Sequence, residues 1–197
     1  MTRMGAPVRA SLRGEGRALP RAIAVFGLAL AASAALGLLA GLIWGEAAPR
    51  ATLQEIGNGT AQLVNAETSA FIAADAWFCV IAAVCGLITG VAGYRLLVSR
   101  AGHATRAAAT AGLILGALAG ALVMLWLGEQ IGLSGYDHHL ADSPAGTLFP
   151  ESLALGAKSA LAFWPLVTAV IILVSEWGTR RSAYPSAEDS VVDDAGT

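Results

Sequence analysis

Charge is what this sequence has least of. Only 13 % of its 197 residues are Asp, Glu, Lys or Arg, about half the share of an ordinary soluble domain. A globule of this size would lack the polar surface that keeps it in water. Lysine is nearly missing, with Lys158 alone against eleven arginines. No dense basic patch with interleaved aromatics occurs, which argues against nucleic-acid binding. Cysteine is scarce too. Cys79 and Cys85 lie six residues apart in one apolar run, a helical rotation of about 600° that points them to different sides. That spacing excludes a bridge between them and leaves small apolar filler as their role. The chain also lacks G-x-S-x-G, Walker A, H-E-x-x-H and a G-x-G-x-x-G in strand-to-helix context, so no catalytic residue and no cofactor is implied.

What is abundant is apolar. Hydrophobic residues make up 56 % of the chain and mean hydropathy is +0.64. These values point to an integral membrane protein, all-α, built as a four-helix bundle in contact with the lipid bilayer. Residues 22–44 carry no charge, and about 23 helical residues cross the ~30 Å of a hydrocarbon core. Spans 2, 3 and 4 are expected at about 71–98, 107–127 and 153–174. Together they make a membrane domain over 22–177. Before it, residues 1–21 form a basic, Gly/Pro-punctuated tail. After it, 178–197 is an acidic tail unable to bury a core, read as disordered. A signal peptide is a poor reading of span 1, because the run is too long for an h-region.

Lys and Arg set the direction. Five lie in the N-terminal tail, three at Arg95, Arg100 and Arg106 in the turn between spans 2 and 3, and two at Arg180 and Arg181. These ten face Arg50 and Lys158 alone. The split predicts both termini in the cytoplasm of a bacterial cell and two loops, 45–70 and 128–152, outside. The short turn between spans 2 and 3 predicts an antiparallel hairpin. In the first outer loop, Gly57-Asn58-Gly59 between apolar-containing runs signals a short β-hairpin, with a surface helix as the rival reading. The second is expected to be irregular, with a short interfacial helix as an alternative.

Glycines recur every four residues at Gly37, Gly41 and Gly45 in span 1, at Gly86 and Gly90 in span 2, and at Gly112, Gly116 and Gly120 in span 3. Each set lies on one helical stripe where backbones can approach closely. Packing within one chain is the plain reading; a membrane-protein partner or a homo-oligomer is the functional one. Pro165 is expected to kink span 4 near its middle.

Asp75 lies about one turn inside the outer end of span 2. A carboxylate at membrane depth needs a partner, and Lys158, at similar depth in span 4, is the candidate for a membrane ion pair. A structural clamp, a cap on span 2, a proton- or ion-coupled site and simple snorkelling to the surface are the readings of Asp75. Glu46, Glu67 and Glu129 at neighbouring span ends would complete an outer carboxylate cluster. Tyr136-Asp137-His138-His139 with Asp142 could offer metal ligands. No other outer His or Cys completes a zinc site, and His103 is on the opposite side, so no metal is expected.

Glu67-Thr68-Ser69-Ala70-Phe71-Ile72-Ala73-Ala74-Asp75-Ala76-Trp77, the basic turn, the polar outer loop and Gly-Ala-Lys-Ser-Ala-Leu-Ala-Phe-Trp-Pro at 156–165 resemble a group of small four-span actinobacterial membrane proteins. That group is known as a domain of unknown function. The resemblance covers about residues 20–177. It implies architecture and the cell membrane, and no chemistry. Three functional expectations follow. The first is a non-enzymatic accessory, assembly or scaffolding component. The second is a small transporter or channel using Asp75, although the spans hold few polar residues to line a path. The third is a membrane enzyme whose outer site would use the carboxylates and His138/His139.

Overall fold

The structure, a computed structural model, describes residues 7–182 except 58, 59, 66–68, 143 and 145. Its elements run α1 (Pro7–Ala47), β1 (Thr52–Gly57), β2 (Thr60–Leu63), α2 (Ala70–Gly93), α3 (His103–Asp142), β3 (Leu148–Pro150) and α4 (Phe163–Ser182). A π-helical turn, Tyr94–Val98, continues α2, and a 3-10 turn, Lys158–Ala162, leads into α4. Four segments are long and apolar enough to cross a membrane: Leu19–Ala47, Ala70–Val98, Thr105–Leu133 and Lys158–Arg181. The chain is a multi-pass membrane protein with an all-α bundle and a small sheet at one end. That end is the cap end; the opposite one carries both termini.

The expected boundaries shift in three places. The basic segment is helical from Pro7, because α1 continues through Pro20 to the N-terminal side of the span. Span 3 does not stop at the membrane surface, since α3 runs on to Asp142 and takes up the first half of the second outer loop. Span 4 begins later than expected. Leu153 and Leu155 are buried in non-helical chain, and helical winding starts only at Lys158. Pro165 is therefore the third residue of α4, not the centre of a bent helix. At that position a missing N–H costs little, and the proline stands where 3-10 winding gives way to α.

α1 packs chiefly on α3 and α2 chiefly on α4, with α3 against α4 joining the two pairs. α2 and α3 follow each other but are not the closest neighbours, which differs from the expected hairpin. Glycine is the reason. A Cβ on Gly41 would stand 2.9 Å from the Met124 carbonyl, and one on Gly120 would stand 2.7 Å from the Ser33 carbonyl. Gly37 abuts the backbone of Gly120, and Gly112 lies 3.0 Å by the same measure from the Phe26 Cα. The α1 and α3 stripes thus face each other within the chain, and their backbones approach further than any side chain would allow. Gly86 and Gly90 give α2 the same closeness to Trp164, Val167 and Ile171 of α4.

At the level of the cap end, Trp44, Phe78, Met124 and Trp164 are fully buried together. Trp44 meets Phe78 edge-on, with ring centroids 5.2 Å apart. The indole N–H groups are both used: Trp44 Nε1 donates to the Ala74 carbonyl at 3.0 Å, and Trp164 Nε1 to Thr89 Oγ1 at 3.2 Å. Buried indoles are stable only with such acceptors.

The expected hairpin forms. β1 and β2 are antiparallel, with an irregularity between Glu55 and Gly57. A third strand, not anticipated, joins them: β3 pairs with β1, and the sheet order is β2-β1-β3. Gly146, at φ +94°, makes the turn into β3 and donates its N–H to the Glu55 carbonyl.

Candidate functional site

The cap end holds the residues that chemistry would use. Asp75 is the sixth residue of α2. Its Oδ1 accepts the Gly156 N–H at 3.0 Å and its Oδ2 the Ala157 N–H at 2.9 Å. Those amides lie in the non-helical chain just before the 3-10 turn that leads into α4. One carboxylate of a neighbouring helix satisfies both backbone N–H groups. The expected ion pair with Lys158 is not formed: the ammonium belongs to an exposed side chain, and the amides before it take both oxygens. A lysine one residue past the amides can keep its charge in water, while backbone N–H groups cannot move away.

Among the described residues the expected outer carboxylates do not come together. Glu46 is exposed on the last turn of α1, Glu129 is half-buried on α3, and Glu67 lies outside the described residues. No group of three or more His, Cys, Asp or Glu side chains comes together among the described residues. Tyr136, Asp137, His138, His139 and Asp142 belong to the backbone of α3 rather than to an irregular loop; their side chains are outside the described ones. Cys79 and Cys85 are both free.

Two other carboxylates matter more. Glu55 is 3 % exposed, and its Oε2 has no hydrogen-bond partner among the described residues. Glu151 Oε2 is likewise buried without one. Strand alternation turns Ala51, Leu53 and Glu55 toward the bundle and Thr52, Gln54 and Ile56 away from it. The same alternation is legible in the sequence Ala-Thr-Leu-Gln-Glu-Ile, so Glu55 could have been placed inward from its register with Leu53. Burial pushes the Glu151 carboxyl up from its ordinary range. Glu55 N donates to Thr147 O and Glu151 N to Ala51 O, so the two glutamates sit at opposite ends of β1. Four strand residues separate those backbones by about 14 Å.

Below the cap, two buried threonines are engaged within the bundle. Thr168 Oγ1 donates to the Gly86 carbonyl at 3.3 Å, and Thr89 is taken by Trp164. Arg50 donates from Nη2 to the Gly45 carbonyl, closing the end of α1. The arrangement can clamp helix ends and hold a sheet in place. The described residues offer no continuous polar route from one end of the bundle to the other.

Comparison of the chain with protein-family models, with curated proteins and with solved structures finds no match.

Proposed function

We propose that the chain is a non-enzymatic accessory or scaffolding component of a bacterial cell membrane, and that it belongs to the actinobacterial four-span group it resembles. Both termini lie in the cytoplasm in this reading, as the arginine distribution suggests. The bundle serves as a rigid base, and the sheet serves as the surface on which a partner membrane protein docks.

The observation that carries this reading is the outward face of the sheet. Its residues include Thr52, Gln54, Ile56, Gln62, Val64, Leu148 and Pro150, all exposed and none charged. Ile56, Val64 and Leu148 are each more than half exposed. An uncharged patch with apolar members, held on a small sheet by a packed bundle, suits a protein contact. The filled core around Trp44, Phe78, Met124 and Trp164 and the clamp role of Asp75 weigh against the transport reading.

Purification in a mild detergent followed by native mass determination tests it. The expected result is a second protein in fixed stoichiometry that is lost from an Ile56→Asp, Leu148→Asp variant. A chain that carries no partner and instead mediates Asp75-dependent ion flux in liposomes overturns it.

A further inference from the structure

At the end of the bundle that carries the termini, α3 and α4 diverge around a groove of about 390 Å³. Arg106, Thr110 and Ile114 line it from α3, spaced by four residues on one stripe. Ala169, Leu173, Glu176 and Arg180 line it from α4. At 1.5 Å per residue these stripes run about 12 Å and about 16 Å along the helices. That is close to half of a ~30 Å hydrocarbon core, the depth of one leaflet. Arg106 is the second residue of the span Thr105–Leu133, and Arg180 is the last but one of the span Lys158–Arg181. The polar end of the groove is therefore at the membrane boundary, and the end at Ile114 and Ala169 is near the midplane. Trp177 marks the same boundary. It is 57 % exposed, with the Arg181 guanidinium 3.9 Å over its ring, the setting of an interfacial tryptophan.

The polar end is short of acceptors. Arg106 Nη1 meets Glu176 Oε1 at 3.4 Å, longer than a good charge-assisted hydrogen bond. Arg106 Nε is out of reach of water and has no partner among the described residues. Two arginines against one glutamate leave one net positive charge.

We propose that this groove holds one anionic phospholipid from the leaflet on the side of the termini, with its phosphate between Arg106 and Arg180 and one acyl chain along Ile114 and Leu173. A single negative phosphate accepts from the accessible guanidinium N–H groups of Arg106 and Arg180 and cancels the residual charge. A zwitterionic headgroup would bring a second cation toward the same arginines. Basic pockets between membrane helices bind anionic headgroups in this way.

The test uses the full chain in mild detergent with equal amounts of phosphatidylglycerol and phosphatidylcholine, read as lipid adducts by native mass determination. The expected result is a phosphatidylglycerol adduct favoured by about tenfold, because both lipids bring the same phosphate and only the choline sets a cation against the arginines. Arg180→Gln should abolish the preference. Ala169→Phe, which fills the deep end and leaves every charge in place, should abolish the adduct. Arg95→Gln, a charge change on α2's π turn outside this groove, should leave both unchanged. Equal retention of the two lipids overturns the proposal. So does retention unaffected by both groove variants, an equal loss with Arg95→Gln, or the finding that the groove variants release a protein rather than a lipid.

Discussion

At the cap end Asp75 gives both oxygens to backbone amides at 3.0 and 2.9 Å, while at the other end Glu176 meets the guanidinium of Arg106 at 3.4 Å. The first carboxylate joins α2 to the start of α4 through groups that have no freedom to leave. The second shares a flexible cation that is itself partly in contact with solvent, 38 % exposed in its side chain. A charge inside a membrane bundle thus needs hydrogen-bond donors in fixed positions more than it needs an opposite charge.

The sharpest way to break that contrast is Asp75→Ala. It removes two hydrogen bonds to a charged group at an exposed turn and should lower stability by about 2 kcal/mol, read as an earlier thermal transition in detergent. Asp75→Asn keeps one acceptor oxygen and should lose roughly half as much. A smaller effect at the cap is set by pH. Folding raises the Glu151 carboxyl, so the folded state favours its protonated form. The contribution of Glu151 to stability should be fully present below about pH 4, the range of an unfolded glutamate, and should be lost as pH rises through the raised folded value. Glu151→Gln should flatten that slope in unfolding transitions recorded across pH. At the opposite end, Glu176→Gln should cost no more than about 1 kcal/mol in the same detergent assay, because the pair is partly open to solvent. Lys158→Ala should be nearly silent, within about 0.5 kcal/mol. A large loss on Lys158→Ala would mean that the ammonium, not the amides, holds Asp75.

The two ends also differ in how far they can be read from sequence. Spans announce themselves by uncharged length, and the hairpin by Gly57-Asn58-Gly59. The part of α3 beyond the span Thr105–Leu133 is polar, so hydropathy carries no sign of it; within the span, Gly128 and Gly132 continue the four-residue register of Gly112, Gly116 and Gly120. The structure uses both: Gly128 lies against the Trp44 ring and Gly132 against Leu153. β3 is only three residues long, too short for alternation to register. Asp75 was identifiable as a residue in need of a partner. The partner was not, because Gly156 and Ala157 act through their backbones, and a sequence names side chains. Pro165 was misplaced for a related reason: apolar Leu153 and Leu155 extend the hydropathy of span 4 without being helical.

The pairing of β1 with β3 has a consequence for how the chain is threaded. The two strands come from loops separated by α2 and α3, yet they share one ladder, with Leu53 opposite Phe149. Both loops must then emerge on the same face of the membrane. The chain between them must cross an even number of times, which two complete spans do and a single one cannot. Three residues of β-structure thus act as a parity check on the topology, independent of where the arginines lie. A chain in which α2 or α3 failed to cross would leave β1 and β3 on opposite sides of the bilayer, with nothing to pair.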